Sequence, residues 1–65
     1  MKKCYGGIDL GGSFIKAGLI DFQGNQLAKF KIPSNVESGI PAVKSNLFNA
    51  AKMLEDSAKK KRFVL

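Results

Sequence analysis

Histidine and tryptophan are missing from this 65-residue chain, cysteine and tyrosine occur once each, and proline twice. Without histidine there is no imidazole to act as a general base, to activate a nucleophile or to ligate a metal. Cys4, standing alone, excludes a disulfide framework and a cysteine zinc site. With no imidazole to draw off its proton, it reads as a strand-start residue in a reducing compartment and not as a catalytic thiol. Long apolar runs are also missing. None approaches the roughly 20 residues that span a bilayer. Lys2 and Lys3 lead only into a stretch broken by Gly6, Gly7 and Asp9, which is no signal-peptide core. The expectation is a soluble, cytoplasmic protein with no membrane partner.

Acids are scarce: five Asp or Glu against eleven Lys or Arg, for a net charge of +6. Lys59, Lys60, Lys61 and Arg62 hold four of those cations in one run at the end of a helical segment. There they complement the helix dipole and face solvent. No aromatic residues interleave with them as in single-strand binders, so nucleic acid is not the expected partner.

The apolar fraction of 45% suits a globular chain. A domain of this size buries only about 60% of its unfolded surface and is marginal alone. Lys3 to Leu10 reads as a first strand, with Ile8 and Leu10 on one face and Asp9 on the other. Phe14 to Asp21 reads as a second, in which Phe14, Lys16, Gly18 and Ile20 share a face opposite Ile15, Ala17, Leu19 and Asp21. The segment Asp21-Phe22-Gln23-Gly24-Asn25 is a hairpin turn with Gly24 at positive φ. Gln26 to Ile32 forms a third strand, with Leu27, Lys29 and Lys31 on its wet face, and Pro33 ends it. Ser34 to Gly39 is a polar loop.

A helix is expected from Ile40 to Lys60, capped by Ser38 and with Pro41 in its first turn. Ile40, Val43, Leu47, Ala50, Ala51, Leu54 and Ala58 form its apolar stripe; Lys44, Asn46, Asn49, Lys52, Glu55, Asp56 and Lys59 face water. The five phenylalanines, Phe14, Phe22, Phe30, Phe48 and Phe63, are expected to pack in the core or the hairpin. Phe63, Val64 and Leu65 look like the start of a fourth strand, laid parallel to an earlier one by a crossover. The fold expected is α/β: a three-stranded antiparallel meander covered by one helix. Residues 1–65 are then one partial domain, cut at the start of a fourth strand.

The chemistry concentrates in Asp9-Leu10-Gly11-Gly12-Ser13. A strand ends in a carboxylate and passes straight into two glycines and a hydroxyl. Gly11 and Gly12 lack Cβ, so phosphate oxygens can approach their N–H groups. Ser13 can donate its hydroxyl to the same phosphate. Asp9 suits Mg²⁺ through a retained water, and Lys16 lies where it can face the same cleft. On these residues alone two readings stand: a phosphate-binding turn, or a tight β-turn with Asp9 and Ser13 as ordinary turn residues.

The order of motifs adds a resemblance. Gly7, Ile8, Asp9, Leu10, Gly11, Gly12 and Ser13, then Asp21 closing the second strand and Gly24 in the next turn, resemble the opening of the ROK family of sugar kinases and related repressors. That family belongs to the actin-like, hexokinase-like ATPase group with a ribonuclease-H-like fold. Tyr5 to Leu65 fits its first β-β-β-α unit. Ser13 stands where the family commonly has threonine, which keeps the hydroxyl.

The resemblance implies ATP and Mg²⁺ as cofactors of the full-length protein. Asp9 would orient the metal and the triphosphate, Gly11, Gly12 and Ser13 would form the first phosphate loop, and Lys16 would face phosphate. The expected function is the N-terminal nucleotide-phosphate-binding part of an ATP-dependent, glucokinase-like or fructokinase-like kinase acting on a hexose hydroxyl. Nucleotide and sugar would be its partners, and a homo-oligomer its state. A catalytic acid, a second phosphate loop and the sugar contacts would follow Leu65, so the 65 residues alone are not expected to transfer phosphate. Two alternatives remain: a non-catalytic ROK-type regulator that senses sugar or nucleotide, and a small module that self-associates through the edge of the first strand.

Overall fold

The computed structural model describes residues 2–65. Four strands and one long helix follow in the order β1 (Lys2–Leu10), β2 (Phe14–Asp21), β3 (Gln26–Pro33), α1 (Ile40–Lys60) and β4 (Phe63–Val64), with a single 3₁₀ turn at Val36–Ser38 before α1. The spatial order is β3-β2-β1-β4. β1, β2 and β3 form the antiparallel meander, and β4 pairs with β1 in parallel at Lys2↔Phe63 and Lys3↔Val64. The chain is therefore α/β, with three antiparallel strands followed by one helix and then a short parallel strand.

The period-two pattern of β2 decides the layering. Ile15, Ala17 and Leu19 are buried while Phe14, Lys16 and Ile20 are exposed. The buried set meets Ala50, Leu54 and Ala58 of α1, together with Cys4 of β1, and these residues form the core. Alanines at Ala17, Ala50 and Ala58 let helix and sheet approach closely. Gly6 serves the same packing: a Cβ there would stand 3.2 Å from Leu54 Cδ1 and 3.3 Å from Leu65 Cδ1. The result is a slab of 39 × 17 × 12 Å, in which α1 covers one face of the sheet and the other face is open.

Several sequence expectations change at this level. Ser38 does not cap α1; it lies in the 3₁₀ turn, and Gly39, at φ 95°, is the N-cap with no side-chain hydrogen bond. The buried stripe of α1 is narrower than its apolar stripe. Ile40 is 70% exposed at the helix start, and Ala51 is exposed beside the groove along β1. Leu27 belongs with the core and not with Lys29 and Lys31. The register slips between Leu19↔Ala28 and Ile20↔Gln26, so Leu27 is the extra residue of a bulge that turns it inward. Of the phenylalanines, only Phe30 and Phe63 pack against the core; Phe14, Phe22 and Phe48 are exposed. Phe14 lies on the open sheet face, Phe22 at the hairpin tip and Phe48 on the outer side of α1, where no second layer meets them. Lysine covers two of these rings: Lys31 Nζ stands 4.2 Å from the Phe14 centroid, and Lys52 Nζ 5.8 Å from that of Phe48.

The hairpin between β2 and β3 follows its sequence signal. Gly24 has φ 86°. The Asp21 carboxylate accepts from the backbone N–H groups of Gln23 and Asn25 at 2.9 Å and from the Asn25 side-chain amide at 3.0 Å. These bonds, that from the Asn25 backbone N–H first, hold the Asp21 carboxyl below the usual aspartate range.

Candidate functional site

Asp9 is the last polar residue of β1 and stands opposite Lys16 of β2 in the antiparallel register; Lys16 in turn stands opposite Lys31 of β3. Directly opposed residues share a sheet face, and since Ile15 and Ala17 face α1, Asp9, Lys16 and Lys31 lie together on the open face. One step along the ladder, Gly7 and Gly18 are paired, with Lys29 beyond them. The bare glycines leave a shallow cleft of about 380 Å³ bordered by Gly7, Asp9, Lys16, Gly18 and Lys29. A larger hollow of about 490 Å³ lies between the end of α1 and β4. Its apolar lining of Ala58, Phe63, Val64 and Leu65 is flanked only by Glu55 and Lys59, so it gathers less polar chemistry than the Asp9 cleft.

β1 runs into β2 through Gly11, Gly12 and Ser13. The Gly11 N–H donates to the Phe14 carbonyl at 2.9 Å. This bond closes the hairpin and takes the Gly11 amide out of the set of available donors, unlike the expectation that it would meet phosphate directly. Gly11 is required for shape: a Cβ there would fall 2.9 Å from the Phe14 carbonyl oxygen. At Gly12 a Cβ would meet nothing within 4 Å. Nothing in the fold itself demands a glycine at that position. Among the described residues the Gly12 and Ser13 amides have no backbone acceptor. The turn thus offers two bare N–H groups, an exposed Ser13 and an open approach, two residues after Asp9.

The turn is fastened from behind by Ser34, in the segment expected to be a polar loop. Ser34 is fully buried. Its hydroxyl donates to the Gly12 carbonyl at 3.1 Å, and its N–H donates to the Ser13 carbonyl, also at 3.1 Å. Asn46 of α1, expected to face water, is half-buried and donates its side-chain amide to the Ser34 carbonyl at 3.1 Å. No local pattern marks Ser34, because its hydroxyl's partner is 22 residues away. The available signal was its place directly after Pro33, the last residue of a strand that ends beside the turn.

Among the described residues, no group of three or more His, Cys, Asp or Glu is arranged to hold a metal ion. Asp9 is the carboxylate nearest the turn. Asp21 is engaged in its own hairpin, Glu37 sits in the 3₁₀ turn, and Glu55 and Asp56 are on α1. A cation here would take one protein oxygen and complete its shell with water and phosphate, as Mg²⁺ commonly does. Also among the described residues, no helix is long and apolar enough to cross a membrane. No protein-family model matches the chain, and no curated protein or solved structure shows significant similarity to it.

Proposed function

We propose that this chain is the nucleotide-phosphate-binding N-terminal part of an ATP-dependent sugar kinase of the ROK type, built on a ribonuclease-H-like fold, whose full-length form phosphorylates a hexose hydroxyl. The observation that carries the reading is the β1–β2 turn. Two amides with no backbone acceptor among the described residues and an open glycine follow an exposed carboxylate that stands across from a lysine. The β-β-β-α order with a further strand parallel to β1 supports the same reading, since that is the unit the sequence resemblance implies.

In this reading the Gly12 and Ser13 N–H groups and the Ser13 hydroxyl bind phosphate oxygens. Asp9 would hold Mg²⁺, and Lys16, with Lys31 behind it, would offset the charge of the polyphosphate. The metal supplies neutralisation of the charge that builds on the transferred group. Gly11 shapes the turn. The base that takes the proton of the sugar hydroxyl, and the groups that choose the sugar, belong to other parts of the protein.

The test is calorimetric titration of the chain with ATP, with and without Mg²⁺, for the wild type and for Asp9→Asn. The expected result is Mg²⁺-dependent binding in the wild type and a loss on the order of tenfold or more in the variant, whose fold is unchanged. Equal binding with and without Mg²⁺, or in both proteins, would remove Asp9 from the site. In the full-length protein, Asp9→Ala is expected to abolish phosphoryl transfer to a hexose.

A second reading has its own observation. Among the described residues β4 pairs with β1 only at Lys2 and Lys3, which leaves the stretch from Tyr5 to Leu10 as an unpaired edge, and Tyr5, Ile8 and Leu10 are exposed along it. Such an edge can pair with a second copy of the chain. This is self-association and is compatible with the phosphate site.

A further inference from the structure

We propose that Ser34 and Asn46 are positioning residues for the phosphate turn, forming a two-step buckle from α1 to the loop that sets where the Ser13 N–H, one of its two free donors, points. The inference rests on the nucleotide reading above. A trans peptide directs its C=O and N–H in opposite directions, and the described residues contain no cis bond. Ser34 draws two successive carbonyls, those of Gly12 and Ser13, toward itself through its hydroxyl and its N–H. The amides belonging to the same two peptide units, Ser13 N–H and Phe14 N–H, are thereby turned away from Ser34. Asn46 fixes Ser34 in turn by holding its carbonyl.

The hairpin itself does not require this arrangement. A tight glycine turn on a hairpin closes by its own backbone bond, here Gly11 to Phe14. It does not need a fully buried hydroxyl from a third strand's end and an amide from the helix. Ser34 is the only buried polar residue among the described ones, and its buried side-chain oxygen is satisfied by the turn itself. A buried hydroxyl needs a partner, and in this chain the partner is the Gly12 carbonyl. Pre-oriented backbone donors bind an anion without reorganising at the moment of contact. The helix layer therefore reaches the phosphate turn through two side chains that touch no ligand.

The experiment compares the wild type, Ser34→Ala and Asn46→Ala by amide-resolved NMR, first without ligand and then in a titration with Mg·ATP. Folding is checked by chemical-shift dispersion and by the urea midpoint. The expected result is altered shifts at Ser13 and Phe14, and faster hydrogen exchange at residue 34, whose N–H donates to the Ser13 carbonyl, in both variants while the core amides of Ile15 and Leu19 are unchanged. The affinity for Mg·ATP should weaken on the order of tenfold in Ser34→Ala, as for other residues that orient a binding group from behind, and by less in Asn46→Ala. If the wild type binds Mg·ATP and both folded variants bind it equally well, the buckle has no positioning role and this inference fails alone. If the wild type shows no shift at Gly12 or Ser13, the nucleotide reading fails and this inference falls with it. Should Ser34→Ala not fold, Asn46→Ala, which leaves the Ser34 hydroxyl in place, decides between these outcomes.

Discussion

At the scale of single residues, the two glycines of the β1–β2 turn look alike in sequence and differ in what holds them there. Gly11 leaves no room for a side chain against the Phe14 carbonyl, whereas Gly12 opens to empty space. Gly11→Ala is therefore expected to destabilise the fold by about 1–3 kcal/mol, the usual cost of forcing an atom into a closed site. Gly12→Ala should leave the urea midpoint close to the wild type and weaken phosphate binding, because its new methyl occupies the approach to the amides. A Gly12→Ala variant that binds Mg·ATP as well as the wild type would show that the opening serves no ligand. Asp21 makes a second prediction. Its carboxyl is held low in the folded chain, mainly by the Asn25 backbone N–H. A carboxylate with a lowered folded pKa adds stability above its unfolded value, and that stability is lost as pH falls through the folded value. The β2–β3 hairpin should thus loosen as the pH drops below about 4, and Asp21→Asn should flatten that dependence when melting is followed against pH.

At the scale of elements, the helix end carries an unusual residue. Arg62 adopts the left-handed conformation at φ 61°, just after Lys61 and Arg62 donate back to the last turn of α1. Glycine is the favoured residue at such a stop, since it has no Cβ to strain. Arg62→Gly is expected to raise thermal stability by about 0.5–1 kcal/mol, measured by calorimetry; a drop would mean that the arginine side chain contributes a contact that outweighs its strain.

The elements also show where sequence is legible. The strands, the Gly24 turn, the span of α1 and a fourth strand at Phe63 parallel to an earlier one all follow from local period, turn chemistry and crossover geometry; the structure shows that earlier strand to be β1. The bulge at Leu27, the burial of Ser34 and the turn of Asn46 toward it depend on partners distant in sequence, which no local pattern encodes. The exposed Phe14, Phe22 and Phe48 escaped for a related reason. Apolar character predicts burial only when a second layer exists to bury against, and α1 supplies one for a single face of the sheet. The residues proposed for the site, Asp9, Gly11, Gly12, Ser13 and Lys16, are chosen from the sequence. The division of labour within it, with Gly11 shaping and Gly12 and Ser13 offering N–H groups, required coordinates.

At the scale of the whole molecule, a slab with one covered face and an open strand edge sets the behaviour in solution. The edge of β1 predicts self-association that rises with concentration in sedimentation velocity. Leu10→Lys, at an already exposed position on that edge, should return the chain to monomer at little cost to its fold. A wild type that stays monomeric at millimolar concentration would dismiss the edge as an interface. The central claim, however, concerns the turn that follows directly on that edge. The measurement that reaches it most directly is a titration of the ¹⁵N-labelled chain with Mg·ATP, followed at every amide. The account predicts saturable shifts centred on Gly12 and Ser13, with smaller ones at Asp9 and Lys16, that vanish when Mg²⁺ is chelated. Shifts confined to the basic run from Lys59 to Arg62, or none at all, would contradict it.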